Sequence, residues 1–301
     1  MLQTQTYNCP LPEKRLWLMT GGGLTRTRGL AYAVTAAILW GSIGVAYRLA
    51  LSHGASREWL ILGRPLIGGL GSLAATVLGY GRPGRWSLLV GAGTLAPLVV
   101  VYLFAVELLG AALASILLYT APIWVALLGL LLLGEKPGTR GALAVALGFT
   151  GSFLIAFEGW ARASLVAVLV GLAAGLLYAA YMLAARYALR HGAGELEVGL
   201  HSQPFTAMAV AAVTKPGELP ATVDLPWMLY LGVATMLVPY VLHARALRLL
   251  EAYRVSVVSL IEPLAATVLA ALLLGEKLTA LQLVGATLIL AASLLALEKG
   301  R

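Results

Sequence analysis

Residues 112–136 of the chain read ALASILLYTAPIWVALLGLLLLGEK, and none of residues 112–134 is charged. An apolar run of about 20 residues is long enough to cross the hydrocarbon core of a bilayer as an α-helix. The rest of the chain has the same character, since 60% of its residues are hydrophobic and 11% are charged. A soluble domain has about a quarter of its residues charged. The composition therefore predicts an all-α membrane protein rather than a soluble enzyme.

Ten runs of this kind follow one another, separated by short segments rich in glycine, proline and charge. The runs are too long for the strands of a transmembrane barrel. The predicted membrane spans are 30–51, 58–80, 86–108, 112–134, 139–158, 164–187, 196–214, 225–249, 254–274 and 279–297. The seventh span is the least apolar of the ten. Residues 1–28 are predicted to form a cytoplasmic N-terminal tail.

The orientation of the spans follows from the distribution of lysine and arginine. With a cytoplasmic N-terminus, 15 of the 21 Lys and Arg residues lie in cytoplasmic segments, five lie outside, and Arg64 lies within a span. Short cytoplasmic loops of membrane proteins carry an excess of these residues. We therefore predict a multi-pass protein of the cell membrane, plasma or inner, with both termini in the cytoplasm.

The chain also repeats itself. Arg48-Leu-Ala-Leu-Ser-His-Gly-Ala55 matches Arg186-Tyr-Ala-Leu-Arg-His-Gly-Ala193, and Leu131-Leu-Leu-Gly-Glu-Lys136 recurs as Leu272-Leu-Leu-Gly-Glu-Lys277. The two predicted repeats, 29–159 and 160–298, hold five spans each. Because five is odd, the second repeat must insert upside down relative to the first. Inverted repeats are typical of transporters, whose substrate site lies near the midplane between the halves.

These features resemble the EamA family of the drug/metabolite transporter superfamily. The resemblance rests on the five-plus-five inverted repeats, on Pro122 and Pro263 before the two Gly-Glu turns, and on Arg64 early in the second span. It covers about residues 30–297. It implies export or exchange of small metabolites, such as amino acids, through a central cavity between two five-helix halves. It leaves the substrate open, because members of the family handle very different solutes.

Charged residues within spans are the first candidates for a substrate site, because each costs roughly 2.5–3.5 kcal/mol at the centre of a helix. Glu262 precedes Pro263 and either binds a cationic group or a proton, or makes a structural hydrogen bond between helices. Arg64 precedes Pro65 and either holds a substrate carboxylate through a bidentate fork, or ties down helix-end carbonyls or pairs with Glu58 or Glu107. Gln203 precedes Pro204 in the same way.

Aromatic residues and one histidine complete the predicted site. Trp40 and Tyr178 occupy matched positions in the two repeats, as do Tyr102 and His243. Aromatic rings near the midplane either stack on a cationic or aromatic solute or pack as ordinary core residues. His243 is a candidate proton carrier, against the alternative of a satisfied structural histidine. The residues predicted to bind substrate are Trp40, Arg64, Tyr102, Tyr119, Tyr178, Tyr181, Gln203, His243 and Glu262.

Four prolines are predicted to kink the spans, because proline lacks the amide hydrogen that an inner helical turn needs. They are Pro97, Pro122, Pro239 and Pro263. Gly41, Gly44, Gly171 and Gly175 lie on matched helices, where they either allow close helix approach or act as hinges for alternating access. Ala144 and Gly148 are candidates for a contact in a homodimer.

The sequence therefore predicts a secondary transporter or exporter of a small organic metabolite that works by alternating access. Proton coupling is a hypothesis based on Glu262 and His243. The alternatives are a flippase for lipid or polyisoprenoid headgroups and an intramembrane enzyme, for which the chain has too few acids, bases and metal ligands. Enzyme signatures, a P-loop and metal-site spacings are lacking, so we predict no cofactor and no metal. The basic residues form no stripe, so nucleic acid is not an expected partner.

Overall fold

The computed structural model describes residues 22–155 and 164–297, and every regular element within these ranges is a helix. The prediction of an all-α fold is therefore confirmed for the described residues. Most of the predicted tail, residues 1–21, lies outside them, as do the predicted repeat boundary at 159 and 160 and residue 298.

Residues 22–155 form seven α-helices and one π-helical segment. They are α1 (Gly22–Gly41), α2 (Ile43–Ser52), α3 (Arg57–Val77), α4 (Arg85–Ser87), π1 (Leu88–Leu95), α5 (Ala96–Leu118), α6 (Ala121–Leu133) and α7 (Gly138–Ile155). The second half forms a similar series. It consists of α8 (Leu165–Arg190), α9 (Glu195–Gly199), α10 (Gln203–Val213), α11 (Asp224–Gly232), π2 (Val233–Leu237), α12 (Val238–Leu249), α13 (Ala252–Ser259), α14 (Ile261–Leu274) and α15 (Ala280–Leu297).

Within the described residues, 7 helical runs are long and apolar enough to cross a membrane. They are Leu24–Ser52, Arg57–Val77, Arg85–Leu118, Gly138–Ile155, Leu165–Arg190, Asp224–Leu249 and Ala252–Leu274. Ala121–Leu133 and Ala280–Ala296 are apolar but shorter. The protein is thus a multi-pass membrane protein, while the count of ten spans stays a prediction.

The predicted seventh span, 196–214, is not one continuous helix. The chain forms the short helices α9 and α10 there, and a turn that contains His201 separates them. The His201 ring bonds the Ser72 hydroxyl at 2.9 Å through Nδ1 and lies 3.2 Å from the Tyr80 carbonyl oxygen through Nε2. Because these bonds hold a buried polar residue at the turn, they favour a break over a continuous apolar helix.

The first helix is longer than predicted. Helix α1 begins at Gly22, so residues 22–28, which the sequence assigns to the polar tail, are helical. Thr25, Arg26 and Thr27 do not end the helix, because a polar helical turn is stable wherever water or lipid headgroups solvate it. Part of the predicted tail is therefore helical, while the domain bounds stay a prediction.

A glycine separates the third and fourth predicted spans. Gly110 has φ 76° and ψ 160°, so the helical run Arg85–Leu118 turns at this residue, between the predicted spans 86–108 and 112–134. Side chains with a β-carbon rarely adopt a positive φ of this kind, whereas glycine adopts it at little cost. Gly134 and Gly275 end α6 and α14 in left-handed conformations, as the Gly-Glu turns predict.

Helices α7 and α15 pack against each other at small residues. A β-carbon added at Gly151 would lie 2.6 Å from the Gly285 carbonyl oxygen, and one at Gly148 would lie 2.6 Å from Leu260 Cδ1. Ala144 is also completely buried. Ala144 and Gly148 therefore pack within the chain and are not free for a second copy, although a homodimer formed through another surface stays a prediction.

Candidate functional site

Several helices are interrupted where the predicted site residues lie. Helices α5 and α6 are separated at Tyr119 and Thr120, just before Pro122, and α13 and α14 are separated at Leu260, just before Pro263. The π-helical segments π1 and π2 directly precede the turns that contain Pro97 and Pro239. π-Helical turns are rare and occur frequently at functional sites. Each interruption leaves backbone carbonyls free to bind groups from other helices.

Thr235 in π2 receives the contacts of two predicted site residues. The Trp40 indole Nε1 donates to the Thr235 carbonyl oxygen at 3.2 Å, and Arg64 Nη2 donates to the same oxygen at 3.0 Å. Arg64 Nε also donates to Thr235 Oγ1 at 2.9 Å. Arg64 is therefore tied to a helix carbonyl, which is one of the structural roles that the sequence allows for it. Its half-buried guanidinium still has other N–H groups to offer.

Glu262 is the second residue of α14 and is half-buried. The Tyr119 hydroxyl donates a hydrogen bond to its carboxylate, and the positive charge of Arg64 lies close enough to attract it. The hydroxyls of Tyr102, Tyr178 and Tyr240 also lie within electrostatic range of this carboxylate. The structure thus brings Glu262 and Arg64, predicted from separate halves of the chain, into one polar group with tyrosine hydroxyls.

Helices make close contacts at glycines next to Glu262 and Tyr119. A β-carbon added at Gly41 would lie 2.8 Å from the Glu262 carbonyl oxygen and 2.9 Å from the Ala266 nitrogen, so α1 touches the backbone of α14 there. A β-carbon at Gly175 would lie 2.5 Å from the Leu117 carbonyl oxygen, next to the break that carries Tyr119. Gly171 packs against Leu117 as well, whereas Gly44 has open space. Three of the four predicted close-approach glycines therefore lie in tight contacts.

Aromatic rings enclose one side of this polar group. Trp40 meets Tyr240 with ring centroids 5.2 Å apart, and Tyr181 meets Tyr240 at 5.8 Å. Tyr178 stacks on Tyr181 at 6.3 Å. Edge-on and offset pairs of this kind stabilise an aromatic cluster beyond the burial of its surface. Three helical runs therefore contribute to one aromatic wall, to which Tyr240 belongs although the sequence did not single it out.

His243 lies within the aromatic wall. Its ring stacks on Tyr181 at 5.8 Å and faces Trp40 at 5.2 Å, and no part of its side chain is exposed. Among the described residues, neither ring nitrogen of His243 has a hydrogen-bond partner, and the Tyr181 hydroxyl has none either. A proton carrier needs a partner or a solvent path, so this surrounding favours Glu262 over His243 for that role.

The hydrogen bonds of two further predicted residues, Tyr102 and Gln203, are made to groups other than Glu262. The Tyr102 hydroxyl bonds Ser115 Oγ at 2.9 Å, across the turn at Gly110. Gln203 is completely buried, and its Nε2 donates to the Gly199 carbonyl oxygen at 2.8 Å. Its Oε1 has no partner among the described residues. The hydrogen bond to Gly199 gives Gln203 a structural contact that is separate from the Glu262 group.

Two buried polar residues, one within this site and one outside it, were missed by the sequence reasoning. Thr235 is fully buried but looks like an ordinary threonine in an apolar run. Asp224 is also buried, and its carboxylate accepts bonds from the Ser56 and Ala221 amides at 2.6 and 2.8 Å. The only sequence signal for Asp224 was that it is the single aspartate of the chain. Beside it lies a recess of about 300 Å³ that Trp59 and Glu218 line as well.

The chain was compared with known protein families and structures. The model of the EamA-like transporter family matches it twice, over residues 27–157 and 165–297. A protein of Archaeoglobus fulgidus described as an uncharacterized transporter is 30% identical over 273 residues, which cover 89% of this chain and 96% of that protein. An uncharacterized transporter of Synechocystis is 29% identical over 223 residues, which cover 69% of this chain and 65% of that protein.

The fold is similar to a solved structure described only as the crystal structure of a protein. The TM-score is 0.77 at 19% sequence identity, and the match covers 90% of this chain and 97% of the other. At this identity the likeness concerns the fold alone.

Proposed function

The chain belongs to the EamA-like transporter family, and from this premise we propose that it is a secondary active transporter of small organic metabolites. Its ten spans form two inverted five-helix halves, which expose a central site to each side of the membrane in turn. Export is the favoured direction. Amino acids and related compounds are the favoured substrates, because they combine a charged group with a small side chain.

The observation that carries this proposal is the half-buried Glu262 carboxylate at the break between α13 and α14. A charge within a span is unfavourable unless it has a partner or a function. Tyr119 and Arg64 supply partners to Glu262 within the chain. A carboxylate that is still partly open beside aromatic rings is suited to a cationic group on a small solute.

Glu262 also carries the proposed coupling to protons. A carboxylate that alternately holds a proton and the cationic group of a solute exchanges the two across the membrane when the halves change access. Tyr119 and Arg64 would position the carboxylate in both states. The plasma or inner membrane, with both termini in the cytoplasm, remains the proposed location and is supported by the distribution of Lys and Arg.

The test is uptake by liposomes that contain the purified protein, with a panel of amino acids, organic cations and sugars and an imposed proton gradient. Glu262→Gln keeps the size of the side chain and removes its charge, so we expect uptake of the transported solute to fall about 100-fold. Glu218→Gln changes an exposed loop carboxylate in the same way and is the matched control.

Unchanged uptake and unchanged dependence on the proton gradient in Glu262→Gln would refute the role of this carboxylate. Movement of labelled lipid between the leaflets of the same liposomes, without uptake of any solute in the panel, would instead favour the flippase alternative. Thermal unfolding in detergent should be measured for both variants, so that a loss of uptake is not confused with a loss of folded protein.

A further inference from the structure

The two Gly-Glu turns end in ion pairs that match each other across the repeat. Glu135 follows the end of α6 and pairs with Arg186 of the second half, Nε to Oε1 at 2.9 Å. Glu276 follows the end of α14 and pairs with Arg48 of the first half. The repeat matches Glu135 with Glu276 and Arg48 with Arg186. Each glutamate therefore pairs with the arginine of the other half. The pairs lie at opposite ends of the helix bundle.

At one end the pair is docked on the backbone between α12 and α13. Arg186 Nη1 donates to the Leu247 and Arg248 carbonyl oxygens at 2.6 and 3.0 Å, and Glu135 Oε2 accepts from the Ala252 amide at 2.6 Å. The Arg186 and Glu135 side chains are only 11% and 4% exposed. The pair thus satisfies free carbonyls at the end of α12 and an amide at the start of α13. We call residues 247–252 the Arg248 junction.

The first half contains a counterpart of the Arg248 junction. In the register that aligns Pro122 with Pro263, Ala105-Val-Glu-Leu-Leu-Gly-Ala111 matches Ala246-Leu-Arg-Leu-Leu-Glu-Ala252, with four identical residues. We call residues 106–111 the Glu107 junction. It follows that Val106 and Glu107 match the two residues whose carbonyls bind Arg186, and that Ala111 matches the residue whose amide binds Glu135.

The Glu107 junction is not docked in the same way. Leu108 is 55% exposed, and Gly110 turns the chain in open space, whereas Leu247 and Ala252 are completely buried. Arg48 and Glu276 contact each other but are 61% and 49% exposed. One end of the protein therefore has a pair docked on its junction, and the other end has an exposed pair and an exposed junction.

We propose that Arg48 and Glu276 form a second latch, which docks on the Glu107 junction when that end of the transporter closes. Arg48 then donates to the Val106 and Glu107 carbonyl oxygens, and Glu276 accepts from the Ala111 amide. The latch formed by Glu135 and Arg186 leaves the Arg248 junction in the same transition. This inference rests on the proposed alternating access and names the contacts that hold each end closed.

The charges of the two junctions agree with this assignment. At the docked end, the Arg248 side chain forms an ion pair with Glu195, in which Nε and Oε1 are 2.7 Å apart. Its positive charge is thus balanced away from Arg186. Position 107 holds a glutamate where the other junction holds an arginine. Docking therefore brings Glu107 beside the ion pair of Arg48 and Glu276, where its carboxylate attracts the Arg48 guanidinium and repels the Glu276 carboxylate, so that Arg48 is the residue it draws to the junction. Reversal of this charge should oppose docking.

Distances between spin labels in lipid nanodiscs test the proposal, on a background with Cys9→Ser. Labels at Lys136 and Arg245 report the docked end, and labels at the matched exposed positions Lys277 and Phe104 report the other end. Glu135→Gln removes the charge of the docked latch. We expect the 136–245 distance to lengthen and the population with a short 277–104 distance to rise about tenfold.

Two further variants change exposed residues. Their results therefore do not depend on whether a substitution in the buried pair of Glu135 and Arg186 disturbs folding. Glu107→Lys reverses an exposed charge and should abolish the short 277–104 distance, even when combined with Glu135→Gln; Glu218→Lys, in an exposed loop, is its control. Arg48→Gln should slow transport several-fold while the 136–245 distance stays short. The second latch does not exist if Glu107→Lys has the same effect on the 277–104 distance as Glu218→Lys. It does not exist either if the 277–104 distance stays the same when Glu135→Gln lengthens the 136–245 distance.

The distances do not depend on the identity of the solute, which separates this inference from the proposed function. Reciprocal changes in the two distances support the latches even if no solute in the panel is transported. Transport that depends on Glu262, with a 277–104 distance that is the same in all variants, refutes the second latch alone.

Discussion

The two repeats break their helices at matched places but carry different side chains there. Pro122 and Pro263 follow the two breaks, and this feature is shared. In the register of the prolines, however, Tyr119 matches Leu260 and Ala121 matches Glu262. The Tyr119 hydroxyl of the first half bonds the Glu262 carboxylate of the second. The helix breaks that the two repeats share thus belong to the fold. The site is formed by residues that differ between the two repeats.

A physical reason favours this asymmetry. Two carboxylates at the matched breaks would put like charges close together in a medium of low dielectric constant, where their repulsion is strong. The described part of the chain supplies Arg64 near Glu262, and the Arg64 guanidinium is already bonded to Thr235. One carboxylate with one nearby cation is therefore easier to stabilise than two carboxylates that share it.

The largest effect is expected where α1 touches the backbone of α14. A β-carbon added at Gly41 would lie only 2.8 Å from the Glu262 carbonyl oxygen. The matched position in the second half is Ala179. Gly41→Val should lower the free energy of unfolding by about 3 kcal/mol, because the backbone cannot move aside as a side chain can. Thermal unfolding in detergent measures this change.

Gly44→Val is the matched control for this substitution. Gly44 lies one helical turn further on and has no atom within 4 Å of an added β-carbon. Its substitution should change the free energy of unfolding by about 0.5 kcal/mol or less. Equal effects at the two glycines would mean that the contact between α1 and the Glu262 backbone is not tight.

The next effect tests whether the carboxylate can be moved between the halves. The double variant Ala121→Glu/Glu262→Ala keeps one carboxylate but places it at the matched break of the first half. Uptake by liposomes should remain about 100-fold below that of the unchanged protein, since Leu260 has no hydroxyl to offer in the place of Tyr119. The variant Ala121→Gln/Glu262→Ala has the same bulk without the charge and controls for packing at the buried Ala121. Restored uptake in the first variant alone would show that the halves are interchangeable.

The features that depend on local sequence could be predicted. The long apolar runs, the turn near Gly110 and the helix ends at Gly134 and Gly275 follow from residues that are adjacent in the chain. The charges within spans singled out Glu262 and Arg64 one by one, but the sequence offered Glu58 and Glu107, and not Glu262, as partners of Arg64. The break in the predicted seventh span could not be foreseen, because the sequence does not show that Ser72 and Tyr80, more than 100 residues away along the chain, contact His201.

Other features depend on contacts between distant segments and leave no mark in the sequence. Thr235 accepts Arg64 only because π2 frees its carbonyl next to α3. Asp224 is buried because it bonds backbone amides on both sides of the recess, although aspartates are usually exposed. The two Gly-Glu turns have the same sequence, yet Glu135 is buried while its counterpart Glu276 is exposed. Burial of a charge that is fixed by its partners cannot be predicted from the charge alone.

The smallest effect concerns the hydroxyl that joins the two halves. Tyr119→Phe removes one oxygen from a buried ring and leaves Glu262 without its donor from the first half. A hydrogen bond to a charged group contributes about 1.5 kcal/mol or somewhat more, part of which is made up by other donors nearby. We therefore expect uptake to fall about fivefold. Tyr230→Phe, which removes an exposed hydroxyl bonded to Ser42, is the control and should leave uptake unchanged. If both variants behave alike, the Glu262 carboxylate does not need the hydroxyl of Tyr119 from the first half.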